Sequence, residues 1–147
     1  MFEIIDSFRD NYRFLSNFYP CEVMYEGLLY PSVEHAYQAS KTNDPEIRKH
    51  VYWLQTPREA KQFGKTIHRD PEHEIYRVRI MEQLLQEKFK DPTLKKRLKH
   101  IKGYDLIEGN TWHDNFWGAC ICEKCTYKEK HNHLGRLLMS VRNGLWE

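Results

Sequence analysis

Four dipeptides constrain this chain more than any other feature: Asp44-Pro45, Thr56-Pro57, Asp70-Pro71 and Asp91-Pro92. In each, a side-chain oxygen can accept one of the orphan N–H groups of a first helical turn, and the proline that follows has no N–H to leave unsatisfied. A chain punctuated in this way starts helix after helix through its middle, which leaves little room for an extended sheet. Thr56 and Glu59 also fit a capping box, so a short helix is expected from about Pro57 to Phe63, ending at Gly64. After Pro71, Ile75, Val78, Met81, Leu85 and Phe89 recur on one side and predict the longest helix of the chain. Leu134, Leu137, Leu138, Val141 and Leu145 keep helical spacing and predict a helix over about Gly135 to Asn143 with one face on the core.

Nearer the N-terminus the pattern changes from helical spacing to two short runs, Glu22 to Tyr25 and Leu28 to Tyr30, separated by Glu26-Gly27. This reads as a β-hairpin with a tight turn. Pro31 ends the second strand, and Ser32 can cap the helix that follows. The expectation is an α+β fold: a helix-rich single domain of 147 residues, with a small antiparallel sheet near the N-terminus and five or six helices.

Composition removes several classes of function. The net charge of +2, from 23 basic and 21 acidic side chains, argues against a dominant polyanion-binding field. No run of about 18 apolar residues is present, and MFEIIDSFRD carries acids where a signal peptide needs a basic start. A soluble, cytoplasmic protein with no membrane partner is expected. Three of the four cysteines, Cys120, Cys122 and Cys125, crowd into six residues, which suits reduced thiols better than a disulfide framework; Cys21 reads as a small buried hydrophobe.

On the helix after Ser32, the residues Glu34, Gln38 and Lys41 fall at i, i+4 and i+7 and share one face. The stripe is either a solvent face with Glu34 and Lys41 as partners, or an active-site wall. In the second reading Glu34 is a general acid or base, and Lys41 an electrostatic or nucleophilic partner whose pKa apolar surroundings would lower. A second constellation, EGNTWHDNFWG from Glu108 to Gly118, sets Asn110, Asp114 and Asn115 around Trp112 and Trp117. It reads as a shaped loop, either an aromatic-anchored surface loop or a platform on which Trp117 stacks a base while Asp114 and Asn110 hold ribose hydroxyls. Third, Cys120, Cys122 and Cys125 with His131 offer the ligands of structural zinc, but the C-x-C spacing is tight, and unligated thiols with no metal are the reading preferred. The basic run Lys88, Lys90, Lys95, Lys96, Arg97, Lys99 and Lys102 reads as a solvated helix face, or else a phosphate-facing patch, and His50, His68, His73 and His100 as surface residues.

The strings FRDNYRFLSNFYP, YPSVEHAYQASK, LIEGNTWHDNFWG and NHLGRLLMSVR, in this order, resemble the NADAR (YbiA-like) family from about Phe8 to Arg142. The resemblance implies a helix-rich α+β domain with N-glycosidase activity on a ribose-phosphate. Such a substrate would be ADP-ribose attached to guanine, in nucleic acid, or a ribosylaminopyrimidine phosphate of the riboflavin pathway. It implies no cofactor. Carried over by position, Glu34 would be the acidic catalytic residue, Lys41 a candidate for covalent attack at C1, and Asp114 a candidate base. Asn17, Phe18, Tyr37, Gln38, Asn110, Trp117, Gly118 and Asn132 would contact the substrate. The chain departs from the family pattern at Asp10, at His113, where a small residue is common, and at the cysteine cluster with Lys128-Glu-Lys130. These departures bear on which aglycone is released. The rival readings are a non-catalytic NAD or ADP-ribose-binding module, which would not need Glu34 or Lys41, and an interaction domain organised by zinc.

Overall fold

The computed structural model describes residues 3–146. In chain order its elements are β1 (Glu3–Ile5), a 3-10 turn (Asp10–Leu15), β2 (Val23–Tyr25), β3 (Leu28–Tyr30), α1 (Val33–Ala39), α2 (Pro45–Trp53), α3 (Pro57–Gly64), α4 (His73–Lys88), α5 (Pro92–His100), β4 (Tyr104–Leu106), β5 (Gly109–Asn110), β6 (Ala119–Cys120), a second 3-10 turn (Glu123–Cys125) and α6 (His133–Gly144). The fold is α+β and rich in helix, as the proline punctuation requires. The chain divides into two compact units, one of Asn17–Asp91 and one built from both ends, Met1–Ser16 with Pro92–Glu147.

In the unit of residues 17–91, β2 and β3 form the expected antiparallel hairpin, pairing Val23 with Tyr30 and Tyr25 with Leu28. Glu26 and Gly27 turn the chain with φ of 45° and 86°, the double left-handed geometry that a two-residue hairpin loop needs. The caps act as the sequence indicates. Ser32 Oγ accepts from the His35 N–H at 3.0 Å, Asp44 Oδ1 from Glu46 at 2.9 Å, and Thr56 Oγ1 from Glu59 at 3.1 Å. Asp70 differs: its carboxylate accepts from the Glu72 N–H at 3.0 Å and so closes a turn, and α4 begins two residues later than the Asp-Pro pair suggests.

Helix α1 packs against α2, α3, α4 and the hairpin, and every residue from Val33 to Ala39 is buried. A solvent-facing stripe is thereby ruled out for Glu34 and Gln38. On α4 the buried side is His73, Met81, Leu84, Leu85 and Lys88, while Ile75 is 75% exposed. His73 and Lys88 are therefore interior residues, not the surface groups that their charged neighbours suggest. Burial pushes the Lys88 ammonium down to about 8, with Cys21 acting weakly against it, and the rings of Phe89 and Tyr19 lie 5.3 and 5.9 Å from Nζ. Lys95 and Lys96 are exposed, as a solvated face requires.

In the unit of the two chain ends, β1 pairs with β4 in parallel, Glu3 beside Tyr104 and Ile5 beside Leu106. Strands β5 and β6 form a second parallel pair, Gly109 with Ala119 and Asn110 with Cys120. Neither pair is visible in the sequence pattern, because strands of two or three residues carry no usable alternation. Helix α6 starts at His133, slightly earlier than expected, and buries Leu134, Leu138 and Val141. Arg142 is buried with them and donates from Nη1 to the carbonyls of Ile101 and Tyr104, each at 2.8 Å. It thereby caps the end of α5 and fixes the entry to β4.

Replacing Arg142 with Met keeps the aliphatic bulk but takes one donor from the Tyr104 carbonyl and one from the Ile101 carbonyl, which keeps only the Tyr104 N–H. The expected loss is about 1–3 kcal/mol, read as a lower urea midpoint at unchanged m-value; an unshifted midpoint would mean that water replaces the guanidinium without cost.

Candidate active site

The residues expected to carry chemistry fall into two clusters, one in each unit. The first is built on α1. Two neutral histidines hold this helix in place. His35 Nε2 lies 2.9 Å from the Leu54 carbonyl, which can only accept, so the ring is protonated there and Nδ1 accepts from Ser32 Oγ at 2.6 Å. Burial lowers its pKa and favours this neutral form. The Glu34 N–H donates to the Asn17 carbonyl at 3.1 Å, which brings Asn17 to the start of the helix, and the Asn17 side-chain amide reaches Met81 Sδ at 3.7 Å.

Within this buried helix the Glu34 carboxylate accepts from Gln38 Nε2 at 2.8 Å. Gln38 is held from behind by α3: a Cβ on Gly64 would lie 1.9 Å from Gln38 Oε1, so only glycine permits the approach. Gln38 Oε1 is buried with no hydrogen-bond partner among the described residues. Lys41, one turn on, is half-buried; burial lowers its pKa and Arg69 lowers it further, while the Glu34 carboxylate raises it. Its Nζ lies 5.8 Å from the centre of the Tyr37 ring. Phe18 is at the rim, 36% exposed, with Lys61 Nζ 5.9 Å from its ring centre.

A group that sequence reasoning did not assign stands beside Lys41. Arg69, His73 and Arg77 are spaced by four and surround the end of α1. The Asp70 N–H donates to the Lys41 carbonyl at 2.8 Å. Ser40 Oγ donates to the Tyr37 carbonyl at 2.5 Å and lies 2.9 Å from His73 Nε2, so the histidine is the donor to Ser40. His73 Nδ1 then accepts from Arg69 Nε at 3.2 Å. A second proton on that ring would face the guanidinium. Burial, then Arg69, Lys41 and Arg77, push His73 down to about 4 against a weaker pull from Asp70. Arg69 Nη2 is buried without a hydrogen-bond partner among the described residues. The i, i+4 spacing of Arg69, His73 and Arg77 is the signal that could have found them.

The second cluster is the loop between β5 and β6. Asn110, 3% exposed, accepts at Oδ1 from the N–H groups of Trp112 and Asp114 at 3.3 and 3.1 Å and donates from Nδ2 to the Asp114 carbonyl at 2.8 Å. Asp114 Oδ1 accepts from Phe116 and Trp117 N–H at 3.1 and 2.9 Å. Both side chains hold the loop in shape and present Trp117, whose ring meets Phe116 edge-on at 4.8 Å. Gly118 sits where a Cβ would lie 1.8 Å from the Glu108 carboxylate. Asn132 adopts φ 47° at the head of α6, accepts from the Glu108 N–H at 3.0 Å and donates to the Leu106 carbonyl at 2.9 Å. In the same unit His113, Cys120, Cys122 and Cys125 converge. Burial raises the Cys120 thiol, but hydrogen bonds from Cys122, from the His113 backbone and from Cys125 outweigh it and bring it down to about 6. His131 is not in this group: it stacks on His133 at 5.4 Å and 2°, and its Nε2 is 3.9 Å from Glu129. No helix among the described residues is long and apolar enough to cross a membrane.

Comparison with known proteins places the chain in a family and a fold. The sequence model of the NADAR domain matches residues 5–146. A riboflavin biosynthesis protein of Vibrio vulnificus is 32% identical over 94% of this chain, which spans 37% of that relative's length. An N-glycosidase of Nostoc punctiforme is 31% identical over 89% of this chain and 84% of its own. The NMR structure of the Escherichia coli protein YbiA superposes with a TM-score of 0.81 at 25% identity, covering 99% of this chain and 87% of that one.

The tautomer of His73 has a consequence for stability. Between pH 6.5 and about 4 the unfolded chain takes up a proton that the folded histidine refuses, so stability falls as pH falls through that window. Urea midpoints followed from neutral pH to about pH 4 should drop by the equivalent of about 1–3 kcal/mol more in the parent than in His73→Gln; parallel curves would show that His73 titrates normally.

Proposed function

The chain belongs to the NADAR family, and from that premise we propose that it is a hydrolase of an N-glycosidic bond on a ribose-phosphate, with its chemistry centred on α1. The observation that carries this reading is the buried carboxylate of Glu34, oriented by Gln38 and electrostatically coupled to Lys41, whose charged form is disfavoured. A solvated surface stripe would need none of that.

Departure of the base builds positive charge at C1 of the ribose. A fixed carboxylate in a site shielded from water stabilises that charge as it forms, and needs no reorganisation to do so. Glu34 takes this role and, when protonated, can pass its proton to the leaving nitrogen; acid–base help of this kind contributes about 10²–10⁴-fold. Lys41, with its pKa lowered, holds more of the neutral amine than an exposed lysine at the same pH. That amine can attack C1 and displace the aglycone nitrogen, which leaves with a proton from Glu34; the C1 adduct opens to a Schiff base, and water hydrolyses it to release the ribose-phosphate and return the amine. In the alternative route water attacks directly and Lys41 acts only through its charge. The cationic group of Arg69, Lys41 and Arg77 supports a phosphate on the substrate, with the Arg69 fork the natural bidentate partner.

For the second cluster we propose support rather than proton transfer. Asn110 and Asp114 hold the loop that presents Trp117 as a face for a flat base, and Asn132 and Gly118 fix the ends of that loop. We propose a purine or pyrimidine as the aglycone, as in ADP-ribosylated guanine or a ribosylaminopyrimidine phosphate, by likeness to relatives that are an N-glycosidase and a riboflavin biosynthesis protein.

Turnover of a panel of N-ribosides, each with and without its 5′-phosphate, tests this reading. Glu34→Gln should lower kcat by at least about 10², and Arg69→Ala should raise KM for phosphorylated members alone. Parent protein inert toward the whole panel, yet binding NAD or ADP-ribose, would instead establish the binding-module reading. Borohydride added during turnover should trap a covalent adduct that Lys41→Ala lacks; failure to trap one assigns the step to water.

A further inference from the structure

We propose that His113, Cys120, Cys122 and Cys125 form a closed, four-coordinate zinc site that anchors the loop between β5 and β6. This inference stands apart from the reading of α1, since all four residues belong to the other unit.

One nitrogen and three sulfurs lie within 4.8 Å of one another. His113 Nδ1 is 3.3 Å from Cys122 Sγ, 3.4 Å from Cys125 Sγ and 3.9 Å from Cys120 Sγ. With Zn–S of about 2.3 Å and Zn–N of about 2.0–2.1 Å, a regular tetrahedron has N···S edges of about 3.5–3.6 Å. The three observed edges scatter around that length. Hydrogen bonding does not account for the arrangement, because Nδ1 carries either one proton or one lone pair and cannot serve three sulfurs at once. A cation at the centre can.

The backbone is shaped to the same end. Cys122 precedes and Cys125 ends a 3-10 turn in which the Cys125 N–H donates to the Cys122 carbonyl at 3.1 Å, and this C-x-x-C turn brings both sulfurs to one side. Cys120 enters from the end of β6, and His113 enters from the opposite end of the loop with φ 68°, in the left-handed region that few non-glycine residues occupy. Cys120 and Cys125 are buried, Cys122 is half-buried and His113 is exposed, so the site is shielded on one side and open to metal entry on the other. Three thiolates and a divalent cation leave one net negative charge. Lys130 stands close to it, with its ammonium donating to the Cys125 carbonyl at 2.6 Å. Soft sulfur ligands with one imidazole in tetrahedral array favour zinc over magnesium or calcium, and four protein ligands leave no open position for chemistry. The role is structural: His113 lies between Asn110 and Asp114, so the metal would fix from within the loop that presents Trp117.

The full-length protein, purified without chelator, should carry one zinc per chain by elemental analysis. Metal-stripped protein titrated with Co²⁺ should show thiolate-to-cobalt charge transfer and the intense ligand-field bands of a tetrahedral centre, saturating at one equivalent. Removing the metal should shift tryptophan emission to the red as the loop loosens. His113→Ala should weaken binding by at least about tenfold, whereas His131→Ala should bind as the parent does. Parent protein that holds no zinc and gives only the weak bands of octahedral cobalt would overturn the proposal, as would loss of metal in His131→Ala but not in His113→Ala. Because the parent alone decides the first outcome, a variant that fails to fold leaves the test intact.

Discussion

Helix α1 is only seven residues long and has no solvent face, and the unit around it is organised by that constraint. A buried apolar helix asks only for close packing. This one carries Glu34, His35 and Gln38, followed by Ser40, so each polar group must find a partner inside or cost on the order of 1–3 kcal/mol. His35 answers by bridging Ser32 and Leu54, Ser40 by joining Tyr37 to His73, and Gln38 by serving Glu34. The neighbours are fixed by these demands: α3 needs a glycine where it meets Gln38, and α4 must present a neutral histidine instead of a leucine. What remains incompletely satisfied, the Gln38 carbonyl and one arm of Arg69, lies beside the residues to which catalysis is assigned. Unsatisfied buried groups are the ones a ligand can satisfy.

The two clusters are held in shape by different means. Around α1 the side chains are placed by packing and local hydrogen bonds, and protonation is shifted: the charge of Lys41 is disfavoured and His73 is kept neutral. In the loop between β5 and β6 the side chains of Asn110 and Asp114 stand in for missing backbone partners. That loop joins two parallel strands through only the eight residues Thr111 to Gly118, fewer than a parallel crossover ordinarily uses. A connection so short must fold back on itself, and five side-chain bonds from two residues make that possible.

How far the sequence foretold all this varies with the range of the forces involved. Caps, the hairpin turn and the amphipathic face of α6 depend on neighbours within a few residues, and these were legible. The site residues of α1 were legible as a stripe, because helical geometry alone aligns Glu34, Gln38 and Lys41; their burial was not, since a helix buried on all sides has no apolar period to read. His73 looked like a surface residue, and Arg69 and Arg77 drew no assignment, because Ser40, the partner of His73, arrives from the end of another helix. His131 looked the better companion for the cysteines because it follows them closely in sequence, but the reversal of the loop delivers His113 instead. The parallel pairs were invisible: a three-residue strand whose partner lies far along the chain leaves no local trace.

The pairing of β1 with β4 has a consequence during synthesis. Glu3 leaves the ribosome about 100 residues ahead of Tyr104, and at about 5–20 residues per second its strand waits roughly 5–20 seconds for a mate. Every residue of the 17–91 unit has been made before that mate appears, so this unit can assemble while the other still lacks half of its chain. During the wait β1 is an unpaired strand near Phe8 and Phe14 in sequence, in a nascent chain that another unpaired strand could trap. Its brevity is the safeguard, for three residues offer too short an edge for a stranger to hold.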